Sequence, residues 1–249
     1  MYAELKMELD NETLDYKQSS NLQGVIMEHI EEEYAEILHQ SNLKPYSQCV
    51  VKQDDKRIWY IRTLTQEAYK KMIIPLSQLN EFEIKNGQIH ANIVRRNFES
   101  RAENELLKEF YEIPANRFLN LTFQTPTAFK SNGKYVFYPD IRMIYQSLMM
   151  KYTASSEEMD MIDEDTLEQL TQNSEIVRYH LRSMSFPLEG VNIPGFVGSI
   201  RLKIKGTDTM ARYARMLMKY GQYSGVGIKT AMGMGAIRLM EQGEKKNDR

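Results

Sequence analysis

A segment near the carboxyl end combines glycines with a cation in a pattern that could bind an anion. Five of the chain's 13 glycines lie between residues 221 and 235, together with Lys229 and Thr230. Glycine is entropically costly to fix, so such density indicates tight bends or close backbone approach. Exposed N–H groups beside one cation are suited to gripping an anion. A glycine-rich turn made only for packing explains the loop alone equally well.

The loop matches neither of two common phosphate-binding motifs. A Walker loop requires Gly-Lys-Ser/Thr in direct succession, whereas Ile228 separates Gly227 from Lys229. A dinucleotide fingerprint requires a third glycine, where this chain has Thr230. The pattern therefore argues against a mononucleotide or NAD site and leaves other anions open.

Charge is distributed unevenly along the chain. Residues 1–40 carry ten acidic and two basic side chains, whereas residues 176–240 carry ten basic and two acidic ones. This asymmetry indicates a basic surface facing a polyanion, unless the charges are spread around a solvated surface. Because the glycine loop lies in the basic window, we expect a phosphate-binding face there.

Composition indicates an ordinary globular protein. The 249 residues are 42% hydrophobic and 27% charged, enough for one large domain or two small ones. Apolar runs are too short to span a membrane, and the charged first ten residues do not resemble a signal peptide. Cys49 is the single cysteine, which excludes an internal disulfide and a multi-cysteine zinc site and favours a reducing cytoplasm.

The first half of the chain alternates strand and helix patterns. Residues 3–9 alternate apolar and charged side chains, which predicts a half-buried strand. An apolar stripe predicts one helix over residues 20–39, capped by Ser19 or Ser20. The remaining predicted elements are strands Tyr46–Val51 and Arg57–Thr63 around a charged turn, a helix opened by Thr65, and strands between Glu81 and Phe98 around Asn86–Gly87.

The second half repeats this order after a linking helix at Ser100–Tyr111. Its predicted elements are strands Phe118–Phe123 and Tyr135–Tyr138 around Asn132–Gly133, a helix from Pro139 to Tyr152, an exposed acidic helix over residues 157–168, strands Ile176–Phe186 and Phe196–Lys205 separated by Asn192–Gly195, a helix from Thr207 to Tyr220, and a last strand Ala236–Met240. The order predicts an α+β fold of two tandem ferredoxin-like (RRM-like) βαββαβ domains, residues 1–112 and 113–249. Each would have an antiparallel sheet with helices on one face, and the second would carry the glycine-rich loop.

Several segments resemble one family in the order expected along the chain. They are Leu38–His39 with Lys44–Tyr46, Phe123–Lys130, Pro139–Asp140 with Ser147–Leu148, Pro194–Gly198 with the strand after it, and the loop Gly225–Gly235. Together they resemble the CRISPR repeat-processing endoribonucleases, the Cas-six family of the RAMP superfamily. The resemblance implies binding of CRISPR repeat RNA (pre-crRNA), then metal-independent cleavage that leaves 2′,3′-cyclic phosphate and 5′-hydroxyl ends. It also implies delivery of the product to, or retention in, an interference complex; monomer and homodimer both remain open.

Cleavage by an internal 2′-hydroxyl requires two proton transfers and stabilisation of the phosphorane. It requires no metal or cofactor, and the sequence shows no cluster of ligands at metal spacing. Among the four histidines, we expect His29 and His180 to be structural, while His90 has no evident partner. His39 ends the first helix, where the helix dipole favours a protonated imidazole, and it matches the family's Leu-His segment. We predict His39 as the acid or base, against the alternative of a packed or capping histidine.

Tyr34 and Lys44, five residues to either side of His39, are further catalytic candidates that could orient the phosphate. Tyr34 also belongs to the apolar stripe, and Lys44 could be plain surface. The predicted RNA contacts are Gly225, Gly227, Lys229, Thr230, Gly233 and Gly235 in the loop and Arg178, Arg182, Arg201 and Lys203 on strands. Because members of the family place catalytic residues variably, a non-catalytic RNA-binding subunit is the alternative function.

Overall fold

The computed structural model describes residues 1–84, 88–156 and 162–240. The strands of the first half are β1 (Tyr2–Leu9), β2 (Tyr46–Gln53), β3 (Lys56–Thr63), β4 (Glu81–Ile84) and β5 (Ile89–Arg101). Its helices are a 3₁₀ turn (Tyr16–Gln18), α1 (Ser19–Glu28), α2 (Glu32–Gln40), α3 (Gln66–Ala68), a π-helical turn (Tyr69–Ile73) and α4 (Ile74–Leu76). The strands form one antiparallel sheet in the order β2-β3-β1-β5-β4. This is the βαββαβ order of a ferredoxin-like domain, with β4 added at one edge.

Side-chain alternation in β1 determines which face of this sheet meets the helices. Leu5 and Met7 are fully buried, and Leu5 lies opposite Ile61 of β3 and Phe98 of β5. Because successive side chains on a strand point to opposite faces, Glu4 and Lys6 lie on the other face. The sheet therefore has one apolar face under its helices and one polar face.

The second half forms a second ferredoxin-like sheet. Its strands are β6 (Phe118–Thr127), β7 (Phe129–Ser131), β8 (Lys134–Val136), β9 (Ser174–Leu188), β10 (Val191–Ile204) and β11 (Ile237–Met240). Its helices are α5 (Glu103–Glu112), α6 (Ile141–Ser155), α7 (Glu164–Gln172), α8 (Asp208–Ser224) and a 3₁₀ turn (Thr230–Met232). The main sheet has the order β11-β6-β10-β9, and β7 pairs with β8 in a separate hairpin. The predicted fold class, α+β with two ferredoxin-like domains, is confirmed.

The single helix predicted over residues 20–39 is wrong, because the chain breaks between α1 and α2. The His29 imidazole Nδ1 lies 2.8 Å from the Val25 carbonyl oxygen and closes the end of α1. Glu31 then adopts a non-helical conformation before α2 begins. The predicted serine cap is also wrong. Asp15 caps the preceding 3₁₀ turn, and Ser19 is a buried helical residue whose hydroxyl accepts from the Val50 N–H at 3.3 Å.

Three boundaries in the second half also differ from prediction. The β9–β10 turn is Glu189–Gly190, both at positive φ, and the predicted turn Asn192–Gly195 is paired with β9. Asn132–Gly133 does form a turn, but it joins β7 to β8. Asp140 rather than Pro139 starts α6, because its carboxylate accepts from the Met143 N–H at 2.8 Å.

Two predictions lie wholly or partly outside the described residues. They are the Asn86–Gly87 turn and the start of the acidic stretch, residues 157–161. Residues 164–168 of that stretch are helical as predicted, since Asp163 caps α7, whereas residues 162 and 163 lie before the helix. Within the described ranges, no helix is both long enough and apolar enough to cross a membrane.

The two halves contact each other through β2, the end of α8 and the segment after α8. The Gln48 side-chain amide donates to the carbonyl of Ser19 at 2.6 Å and to that of Ala231 at 3.2 Å. The Ser47 hydroxyl donates to the Tyr223 carbonyl at 2.5 Å. Ala231 itself is part of the first half's core. The glycine loop therefore lies at the junction between the two sheets.

Candidate active site and nucleic-acid interface

His39 lies in the last turn of α2 with its side chain exposed. The helix is amphipathic, with Tyr34 and Leu38 in the core, and His39 follows Leu38 onto the outer face. An accessible imidazole is suited to exchange protons with a ligand near neutral pH. The local pattern thus presents His39 to solvent.

Tyr34 does not share this exposure. Its side chain is 3% exposed, it packs within the first half's core, and burial raises the pKa of its hydroxyl. The hydroxyl has no hydrogen-bond partner among the described residues. The prediction that Tyr34 contacts a phosphate finds no support here, because the apolar stripe turns the ring inward.

Lys44 closes the carboxyl end of the His39 helix. Its ammonium donates to the carbonyls of Leu38, of His39 at 3.3 Å and of Ser41 at 2.6 Å. Such cations satisfy carbonyls that lack a helical partner. Burial, and secondly the nearby charge of Lys229, lower the pKa of Lys44. The glycine loop therefore brings its cation into electrostatic range of the His39 helix end.

The other histidines differ in their surroundings. His29 is structural, as predicted, because it closes α1. His90, for which no partner was expected, lies 3.6 Å from the Glu81 carboxylate. His180, expected to be structural, is exposed on β9. Of these three, only His180 lies beside predicted RNA-binding residues, Arg178 and Arg182 on the same strand.

The glycine loop does not present the open amides that its sequence predicts. Each of its glycine N–H groups already has an acceptor. Gly225 donates to the Gly221 carbonyl at 2.9 Å and Gly227 to the Ser147 hydroxyl at 2.8 Å. Gly233 donates to the Thr230 carbonyl at 3.4 Å and Gly235 to the Pro126 carbonyl at 3.0 Å. Gly225, Gly233 and Gly235 are also buried. The expectation of free phosphate-binding amides at these three glycines is therefore wrong, because each N–H group already donates to a carbonyl oxygen of the protein.

Close packing explains why this loop is rich in glycine. Gly227 and Gly235 have positive φ, and a Cβ there would lie 2.3 Å from the Ala128 carbonyl oxygen and 2.0 Å from that of Val226. Neither distance is possible for a real side chain. The alternative of a glycine-rich packing turn thus describes most of the loop.

Lys229 is the exception within the loop. Its backbone is left-handed at φ 56° and its side chain is exposed, whereas the next residue, Thr230, is 9% exposed. Gly227 is half-buried. The structure therefore leaves Lys229 as the loop's accessible cation and turns Thr230 toward the protein.

The four predicted strand residues lie in two adjacent strands. Arg201 of β10 lies opposite Arg178 of β9, and its guanidinium carbon is 4.5 Å from the centre of the Phe118 ring. Arg178, Arg182 and Lys203 are exposed. Since Leu202 and Ile200 are buried beneath the helices, alternation places Arg201 and Lys203 on the open face.

It was not predicted from the sequence that Arg238 and His180 lie on the same open sheet face as Arg178 and Arg201. Arg238 of β11 pairs with Thr122, Thr122 with Ser199, and Ser199 with His180, so four polar residues form a row across the sheet. Arg238 and His180 are exposed. Two-residue alternation within each strand was visible in the sequence, but the row depends on strand order and register.

A polar groove extends from this sheet to the open face of the first one. It encloses about 400 Å³, and its lining combines cationic and aromatic side chains (Lys6, Tyr60, Arg62, Tyr223 and Arg238) with the carboxylates of Glu4 and Glu99. Arg62 donates to Glu4 at 2.5 Å and lies 4.5 Å from the centre of the Tyr60 ring. Burial, with a further contribution from Glu4, raises the pKa of Tyr60 to about 12. Stacking and cationic groups of this kind are suited to nucleic acid.

The described residues contain no group of three or more His, Cys, Asp or Glu side chains placed to hold a metal ion. The donors available to an anion are instead lysine and arginine side chains on the open sheet face and on the loop.

This fold and surface define a tandem ferredoxin-like protein with a cationic face. A family model described as CRISPR-associated endoribonuclease Cas6 matches residues 121–237. The chain is 34% identical over 219 residues to a Cas6 endoribonuclease of Streptococcus thermophilus, covering 88% of this chain and 90% of that one. It is 35% identical over 224 residues to one of Mycobacterium tuberculosis, covering 88% and 70%. The chain therefore belongs to the CRISPR-associated endoribonuclease Cas6 family.

A solved structure agrees with this assignment at the level of the fold. It is described as a Cas6 product complex and superposes with a TM-score of 0.81 at 22% identity, covering 96% of this chain and 99% of that one. Family membership supports an endoribonuclease role in CRISPR RNA processing, as the resemblance predicted.

Proposed function

We propose that this protein binds CRISPR repeat RNA and cleaves one phosphodiester without a metal ion, leaving 2′,3′-cyclic phosphate and 5′-hydroxyl ends. The observation that carries the proposal is the exposed His39 at a helix end whose carbonyls hold Lys44, with the Lys229 charge close enough to Lys44 to lower its pKa. An acid–base group thus lies beside a cationic surface. This combination suits transfer of a phosphoryl group within RNA.

In the proposed reaction the 2′-oxygen loses its proton and attacks the adjacent phosphorus, and the 5′-oxygen leaves with a proton. His39 serves one of these transfers as acid or base. Lys229 stabilises the negative charge on the phosphorane. Lys44 acts mainly by fixing the end of α2, because its ammonium already donates to three carbonyls.

We propose that the RNA backbone is held by Lys229 and by Arg178, Arg182, Arg201 and Lys203 on the open face of the second sheet. Gly227 lies two residues before Lys229 and is half-buried. Gly225, Thr230, Gly233 and Gly235 shape the loop rather than contact RNA, because they are buried. We further propose that residues 1–112 supply the acid–base group and residues 113–249 supply most RNA contacts, with the product passing to an interference complex.

Incubation with a labelled CRISPR repeat transcript in excess EDTA tests the reaction. We expect cleavage at one position, abolished by His39→Ala with binding retained. The matched control is His90→Ala, which removes another exposed imidazole and should leave cleavage unchanged. A cyclic phosphate end resists alkaline phosphatase until acid opens it, which identifies the chemistry. Cleavage that requires a divalent ion, or that survives His39→Ala, contradicts the proposal.

A non-catalytic RNA-binding subunit is the second candidate. It is favoured by the burial of Tyr34 and by the engagement of Lys44 with the backbone, which leave His39 as the accessible member of the predicted catalytic trio. Binding without cutting, in the wild type and the His39→Ala variant alike, would support this function instead.

A further inference from the structure

A buried lysine lies beneath the glycine loop and contacts it from α6. Lys151 is 9% exposed, and its ammonium nitrogen is 3.1 Å from the Gly225 carbonyl oxygen, 3.4 Å from that of Ser224 and 3.3 Å from the Thr230 hydroxyl. Gly225 and Thr230 belong to the loop, and Ser224 is the residue directly before it. An ammonium has three N–H donors, so the three oxygens can satisfy it completely.

The cost of burying this amine argues against a role in folding alone. Burial lowers the pKa of Lys151 to about 7, and no carboxylate is among its hydrogen-bond partners in the described part of the chain. An unpaired charge is expensive to remove from water, and an apolar side chain of similar size would fill the space at less cost. What distinguishes the lysine from an apolar side chain is its three hydrogen bonds to the loop and to the residue before it.

A second contact from the same helix holds the loop nearby. Ser147 precedes Lys151 by four residues and therefore lies on the same face of α6. Its hydroxyl accepts the Gly227 N–H at 2.8 Å. Leu148, on the adjoining part of that face, packs closely against Gly221 at the loop's start. One face of α6 thus fixes the loop at its beginning and middle.

We propose that Lys151 is a positioning residue that holds the glycine loop so that Lys229 faces the bound RNA. This inference rests on the proposed function. Thr230, which Lys151 contacts, is the neighbour of Lys229 in sequence, and the Lys229 charge reaches Lys44 at the end of the His39 helix. Release of Thr230 and Gly225 would let Lys229 move relative to that helix end without removing any group that touches RNA.

Amide hydrogen exchange of the free protein tests the positioning role directly. In Lys151→Met, we expect the peptide covering residues 224–235 to exchange about tenfold faster, because three contacts that close the loop are lost. Lys108→Met is the matched control, since it removes an exposed lysine from α5 and should leave the loop unchanged. Thr230→Val, which removes one contact and keeps the side-chain shape, should produce a smaller increase and provides a second variant if Lys151→Met does not fold.

RNA binding and cleavage give the functional readout. We expect Lys151→Met to bind a labelled repeat transcript about fivefold more weakly and to cut it more slowly at saturating protein. Lys151→Arg, which keeps the donors, should restore part of the binding. Unchanged loop exchange in Lys151→Met would overturn the proposal, and so would faster exchange with unaltered binding and cleavage.

Failure of the proposed nuclease gives a different pattern. Wild-type and His39→Ala proteins would then both bind without cutting, while the differences in exchange and binding caused by Lys151→Met would remain and would support the positioning role.

Discussion

The Lys44 ammonium lies on the helix end that carries His39, with its nitrogen 3.3 Å from the His39 carbonyl oxygen. The contact involves the backbone of His39, so Lys44 leaves the imidazole free to face solvent. The last carbonyls of a helix lack intrahelical partners and attract cations. Lys44, which its spacing from His39 predicts as a second catalytic group, therefore has a structural role: it stabilises the end of the helix that carries His39.

Lys44→Met should affect catalysis through the helix end. Loss of charge-assisted hydrogen bonds should lower the free energy of unfolding by about 1 kcal/mol and reduce the cleavage rate more than RNA affinity, because His39 becomes less well placed. Single-turnover cleavage and urea unfolding measure both effects. Lys52→Met is the control, since its ion pair with Asp55 is exposed. Equal losses of affinity and rate would indicate that Lys44 contacts RNA directly.

Lys229→Ala should weaken RNA binding and lower its salt dependence. Each phosphate neutralised by a cation contributes about one to the slope of log affinity against log salt, and Lys229 is the exposed cation of the loop. Titrations at several salt concentrations measure the slope. Lys229→Arg keeps the charge and should keep the slope, whereas an unchanged slope in Lys229→Ala would remove this residue from the interface.

Gly227→Ala and Gly235→Ala should destabilise the protein by about 2 kcal/mol or more each, because φ is positive at both positions and the new Cβ would meet a carbonyl oxygen. Gly24→Ala in α1 is the matched control. A Cβ there meets nothing within 4 Å, and alanine is the better helix former by about 1 kcal/mol. Thermal unfolding should therefore separate the loop variants from the control. Similar melting temperatures for all three variants would contradict the packing account.

Local signals predicted most of the fold. Thr65 and Thr207 cap helices where their sequences indicate, with hydroxyls that accept from Ala68 and Met210, and residues 3–9 form the expected strand. These features depend on a few neighbouring residues. The βαββαβ order followed from them.

Glycines that serve close packing misled the prediction of turns. Asn192–Gly195 has the composition of a turn, yet Gly195 lies in β10, paired with Met184 of β9. Glycine fits there because a Cβ would come within 3.1 Å of the Thr127 backbone. A Cβ at Gly198, which lies next to a change of register in β10, would come within 2.1 Å of the His180 carbonyl oxygen. A single sequence does not distinguish a glycine needed by a turn from one needed by a neighbouring strand.

Only those features of the candidate site that depend on residues close together in sequence could be predicted. His39 was predicted from its place at a helix end and from its match to the family's Leu-His segment, both of which are local features of the sequence. Two of the loop amides donate to partners far away in sequence: Gly235 to Pro126, and Gly227 to Ser147, which is 80 residues away. Lys151 and the row from Arg238 to His180 likewise require the tertiary fold, because they arise from packing and strand register.

Arg178→Ala should weaken RNA binding without destabilising the protein. Its side chain is exposed on the open face of β9, opposite Arg201, so we expect its loss to remove the proposed phosphate contact, worth about 1 kcal/mol, or about fivefold in Kd. Arg142→Ala is the control, because it removes the same charge from α6, where Arg142 pairs with Glu164 and Glu168. Filter binding of a labelled repeat transcript compares the two. Since both changes reduce net charge equally, weaker binding by Arg178→Ala alone would locate the RNA on the open sheet face. Equal weakening would mean that only overall charge matters.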